Sequence, residues 1–75
     1  MASLEMTRRR RLLSQRALAQ RSGVSESTIY SIEGGKSTHP RLEVMRKLCD
    51  ALGVEPMDVD EFRRVIESEQ DRVAA

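Results

Sequence analysis

Tryptophan is absent from this 75-residue chain, and phenylalanine and tyrosine occur once each. A core without aromatic bulk must be assembled from Leu, Ile, Val, Met and Ala, a palette that suits helices better than strands. No window alternates apolar and polar residues for long enough to suggest a sheet. The one cysteine, Cys49, excludes an intramolecular disulfide. One thiol and one histidine, His39, make no metal cage, so no metal or cofactor is expected. Single-thiol usage suits a reducing cytoplasm. No run of about 18 apolar residues exists, so no membrane span is expected. Basic residues near the N-terminus have no apolar segment behind them, unlike a secretory signal. Catalysis is not indicated: spacing nominates no nucleophile–base pair, with His39 in a loop and Cys49 on an apolar stripe.

What is present is charge, unevenly placed. The net charge of +1 conceals a basic first half and an acidic second. Residues 1–41 hold eight Lys/Arg against three Asp/Glu, a net of +5, and residues 42–75 hold five against nine, a net of −4. That division suits a polyanion-facing surface with a back, or equally a solubilising mixture interleaved by folding. The length suits one domain over 1–75. A domain of this size buries only about 60–65% of its unfolded surface, so pairing with a second copy would help it.

Five helices are predicted. The first covers about Ser3–Arg11, with Glu5 and Arg9 spaced for an i,i+4 pair. Leu12-Leu13 forms an apolar hinge. Ser14 caps a second helix over Gln15–Ser22, Gly23-Val24 turns, and Ser25 caps a third over Glu26–Glu33. Gly34-Gly35 stops it. A polar loop to Pro40 leads into a fourth helix, about Arg41–Leu52, with Leu42, Met45, Leu48, Cys49 and Leu52 on one stripe. Cys49 there reads as a small core residue rather than a redox sensor. Asp58 and Glu61 suggest a capping box for the fifth helix, about Val59–Asp71, and Val73-Ala74-Ala75 is expected to fray. Val59, Phe62, Val65, Ile66 and Val73 are its apolar positions. Phe62 and one neighbour close the core, leaving a strip for a second subunit or another partner.

The segment Gln15–Glu33 is the most informative. Leu18, Val24, Ile29 and Ile32 recur at three- and four-residue steps on inward faces. Ala19 is small enough to let two helices touch, and glycine supplies the positive backbone angle of a sharp turn at Gly23. That is the pattern of a helix-turn-helix, whose second helix commonly enters the DNA major groove.

An ordered set of residues extends the pattern. It starts at Arg8 and includes Leu13-Ser14-Gln15, Leu18-Ala19, Gly23-Val24-Ser25 and Ser27-Thr28-Ile29. It continues through Ile32-Glu33-x-Gly35-Lys36, Pro40-x-Leu42 and Leu48-x-x-Ala51-Leu52-Gly53-Val54. Over about residues 4–62 the chain resembles the Cro-type, XRE-like helix-turn-helix family of phage-repressor-related regulators. The resemblance implies an all-α, five-helix, lambda-repressor-like DNA-binding fold. It implies that Gln15 holds a phosphate at a helix N-terminus, and that Glu26, Ser27, Thr28, Tyr30 and Ser31 meet base edges or flanking phosphates. It implies phosphate contacts from Lys36, Ser37 and Thr38, a backbone or partner-subunit contact from Arg41, and a partly buried ion pair between Arg8 and Glu33. His39, before Pro40 in the same loop, is either a phosphate contact or a solvated side chain, and the plain alternatives for the others are a solvated first-turn Gln15 and a surface Arg41.

The chain departs from the family at Glu26, where arginine or glutamine is frequent, and at Ser31 and Gly34, where basic residues are frequent. Glu26 either accepts a hydrogen bond from cytosine N4 or complements the helix dipole. The weakened charge suggests modest affinity that depends on dimerisation. The expected function is a sequence-specific DNA-binding transcriptional regulator, a repressor. It would insert Glu26–Glu33 into the major groove of double-stranded DNA, as a homodimer on a near-palindromic operator. Val65 and Ile66 of the C-terminal helix are the candidate contacts, and the location is cytoplasmic, at the nucleoid. The alternatives are the antitoxin of a toxin–antitoxin pair and a protein-binding adaptor with the same fold.

Overall fold

A computed structural model describes residues 2–74, with side chains described as far as Glu69. Helix α1 spans Leu4–Arg10, α2 Gln15–Ser22, α3 Glu26–Glu33, α4 Leu42–Leu52 and α5 Asp60–Ala74; a short 3₁₀ turn at Pro56–Asp58 precedes α5. Among the described residues there is no strand, only a single parallel bridge between Ala2 and Val59. The side chain of Val73 and the whole of Ala75 lie outside the described residues.

Local signals set most helix ends. Ser3, Ser14 and Ser25 each accept a hydrogen bond from a backbone N–H three residues on, capping α1, α2 and α3. The bounds of α2 and α3 are those predicted. Arg41 precedes α4 as its N-cap instead of belonging to it. At the end of α3, Gly34 keeps a right-handed conformation and Gly35 takes the left-handed one, at φ 78°. Gly35 N–H bonds the Ile32 carbonyl at 3.2 Å and Lys36 N–H the Ser31 carbonyl at 2.9 Å. That pair of bonds is a Schellman closure. The end of α1 closes the same way, with Leu12 N–H on the Arg9 carbonyl and Leu13 N–H on the Arg8 carbonyl. Here the left-handed position is filled by Leu12, at φ 58°.

The core joins Leu4 of α1, Leu18 of α2, Ile29 and Ile32 of α3, Met45, Leu48, Cys49 and Leu52 of α4, and Phe62 and Val65 of α5. Val24 and Val59 complete it from the connecting segments. Helix α2 packs on both α3 and α4, and the 3₁₀ turn joins α4 to α5.

Three expectations are corrected. Leu42 is 72% exposed: at about 100° per residue it lies at the rim of the α4 stripe, in the turn next to the N-cap Arg41, and not at the stripe's centre. Val65 is 5% exposed and belongs to the monomer's own core, so it is not free for a second subunit. The box of Asp58 with Glu61 does not form. Asp58 turns back to accept from Glu55 N–H at 3.1 Å, and Glu61 reaches across the chain to accept from Leu4 N–H at 2.8 Å. Glu61 thereby satisfies a first-turn donor of α1 that α1 cannot satisfy itself. Ala2 is sewn to the same place, donating to the Asp58 carbonyl and accepting from Asp60 N–H.

Candidate nucleic-acid interface

Gly23 at φ 77° turns the chain between α2 and α3, a conformation that side chains with a Cβ rarely adopt. Leu18, Val24, Ile29 and Ile32 are all buried, which fixes how α3 is rotated. At about 100° per residue, Ser27 then points most directly away from the Ile29/Ile32 face, with Tyr30 and Ser31 on either flank. Glu26, Ser27 and Tyr30 are exposed, and Thr28 and Ser31 are half-buried. The Thr28 hydroxyl lies 2.7 Å from that of Ser25, so it takes part in the cap as well as facing outward.

Beneath α3 lies a buried polar knot. Arg8 Nε donates to Glu33 Oε2 at 2.8 Å and Nη2 to Oε1 at 2.9 Å. Its Nη1 donates to the Leu13 carbonyl at 2.8 Å. The hydrogen bond to Glu33 raises the Arg8 pKa, burial works against it, and the charge of Glu33 adds to the rise. Glu33 Oε1 also accepts from Gln15 Nε2 at 3.0 Å. One carboxylate therefore joins α1, α3 and the N-terminal residue of α2. Gln15 has a second Nε2–H, and that is the donor it can offer a phosphate.

An open groove of about 540 Å³ sits over this knot, and its walls include Glu5, Arg9, Ser14, Gln15, Tyr30, Glu33 and Lys36. The Lys36 ammonium lies over the Tyr30 ring, 6.0 Å from its centroid. Among the described residues no carboxylate pairs with Lys36. Arg9 is paired with Glu5 at 2.8 Å, both largely in solvent. The groove thus sets the N-terminus of α2, one amide donor and the cations of Arg9 and Lys36 beside the carboxylates of Glu5 and Glu33; both carboxylates are paired with arginine, which leaves the amide and Lys36 as the groups able to receive a phosphate oxygen.

The predicted residues separate into groups. Gln15, Tyr30 and Lys36 meet in this groove with the Arg8–Glu33 pair at its floor. Ser37 and Thr38 instead line a smaller hollow of about 290 Å³ against α5, with Ile32, His39, Glu61 and Val65. Arg41 is exposed at the start of α4 and lines neither. Arg9 and Ser14 join the groove beyond the residues that the resemblance implies. The i,i+4 spacing of Arg9 to Glu5 and the capping role of Ser14 were visible, but neither says which way the residue faces. Cys49 is buried, and burial, then Asp50 and Asp58, push its thiol up to about 11, so it stays protonated and unreactive at neutral pH. Among the described residues no cluster of three His, Cys, Asp or Glu could hold a metal ion, and no helix is long and apolar enough to cross a membrane.

A family model described as a helix-turn-helix domain matches residues 2–62. No curated protein and no solved structure matches the chain.

Proposed function

The chain belongs to the helix-turn-helix domain family, and from that premise we propose that it is a sequence-specific transcriptional repressor. It reads double-stranded DNA with α3 in the major groove. Glu26, Ser27 and Ser31 face base edges, and Thr28 contributes from the capped first turn. Gln15 and Lys36 hold the phosphate chain alongside. Arg41 reaches the backbone beyond the other end of the loop.

The observation that carries this reading is the shared groove. Gln15 from the start of α2 and Lys36 from the loop after α3 converge on one concavity beside the exposed face of α3. Phosphate contacts of this kind fix register, and base contacts then give sequence preference. With no cationic group on α3 itself, a single copy binds weakly, and a homodimer with two recognition helices about 34 Å apart supplies the rest. Ile66, half-buried on α5 and outside the core, is the residue we place at that contact.

Selection of bound sequences from a randomised duplex pool at about physiological salt tests the reading, because non-specific binding is weak there. Enrichment of a two-fold symmetric motif with half-sites about 10 base pairs apart is the expected result. Failure to enrich any motif would sink it.

A further inference from the structure

Tyr30 is the one large side chain on the outward part of α3, 58% exposed, and its position invites a base-reading role. The geometry points elsewhere. We propose that Tyr30 is a positioning residue: its ring holds the Lys36 ammonium over the groove floored by Glu33, where a DNA phosphate sits, and Tyr30 therefore sets affinity and not sequence preference. This rests on the DNA-binding reading above.

Two observations support it. The ring lines the same groove as Gln15, Ser14 and Arg9, on the flank of α3 that turns toward α1 and the start of α2. Ser27, not Tyr30, faces directly away from the core. Lys36 is also held in place at its backbone, because its N–H closes the Schellman motif onto the Ser31 carbonyl at 2.9 Å. The side chain starts from a fixed point one residue past the left-handed Gly35 and passes over the ring, with Nζ 6.0 Å from the centroid. A lysine stem is flexible and loses rotamer freedom when it binds a phosphate. An aromatic face beneath the ammonium reduces that loss by holding the cation where it is needed.

The test is a double-mutant cycle on one duplex recovered by selection with the unaltered protein. Tyr30→Leu should weaken binding about two- to five-fold, the range of an exposed cation–π contact. Tyr30→Phe, which keeps the ring, should restore it. Lys36→Gln should lower the salt dependence of binding by about one phosphate, and Tyr30→Leu should then cost nothing further. A repeat selection with Tyr30→Leu should recover the same motif. In the free protein, the Lys36 ε-methylene resonances should move downfield on Tyr30→Leu as the ring current is lost. A changed motif, or a Tyr30→Leu penalty that persists in Lys36→Gln, would overturn the proposal while leaving the DNA-binding reading intact. No DNA binding by the unaltered protein would overturn both.

Discussion

Arg8 and Glu33 meet edge to edge, through two hydrogen bonds of 2.8 and 2.9 Å, with side chains only 9% and 5% exposed. Arg9 and Glu5 approach as closely, at 2.8 Å, but are 66% and 44% exposed. Distance does not separate the pairs; solvent does. Removing one partner of a buried pair leaves an uncompensated charge and costs about 3–5 kcal/mol. An exposed i,i+4 pair contributes about 0.3–0.5 kcal/mol. Urea unfolding should therefore show Glu33→Ala losing most of the stability of a domain this small, and Glu5→Ala losing almost none. Equal losses would mean that the knot under α3 is not closed to water.

Leu12 is a costly residue for its place. It holds the left-handed position of the Schellman closure that Gly35 holds on α3, and its side chain is 94% exposed. A Cβ in that conformation costs about 1–2 kcal/mol, and an exposed side chain recovers little by packing. Leu12→Gly should raise the unfolding midpoint by an amount worth about 1 kcal/mol, measured at constant m-value. The gain is partly offset by the greater freedom of glycine in the unfolded chain. A loss of stability would show that Leu12 makes a stabilising contact.

Stability should fall at alkaline pH through Cys49. Its thiol is raised from 9.0 to about 11 in the folded chain, mainly by burial. Between those values the unfolded chain releases the proton and the folded chain keeps it, so ionisation favours unfolding. The contribution is fully present below pH 9.0 and is lost as pH approaches 11. It amounts to about 2–3 kcal/mol. Comparing unfolding curves of the wild type and Cys49→Ala from pH 8 to 11 isolates this effect from other titrating groups. Parallel pH profiles would contradict it.

Val65 and Ile66 are neighbours with opposite duties. Val65→Ala should cost about 1.5–2 kcal/mol by removing two buried carbons, and leave sedimentation unchanged. Ile66→Glu should change stability by less than about 1 kcal/mol, as near-surface substitutions do, and reduce self-association. If Ile66→Glu sediments as the wild type does, the dimer contact lies elsewhere.

Helices α2 and α3 were legible in the sequence because everything that bounds them is local. Their caps come from Ser14 and Ser25, each three residues from its partner, and the turn from one glycine. The inward faces followed from periodicity, since 3.6 residues per turn dictates which side chains share a side. The Arg8–Glu33 pair was accessible only through the family resemblance, because 25 residues separate its members. Tertiary structure alone decided the rest. Periodicity gives the direction of a side chain about its own helix and is silent on what stands opposite. Leu42, at the rim of the α4 stripe, therefore matched it yet faces solvent, and Val65 looked available yet fills the core. Spacing places Glu61 in the start of its own helix, but it accepts from Leu4 N–H, 57 residues away. Gln15 shares Glu33 with Arg8, and Tyr30 shares a groove with Lys36, because folding brings three helix ends together around one carboxylate.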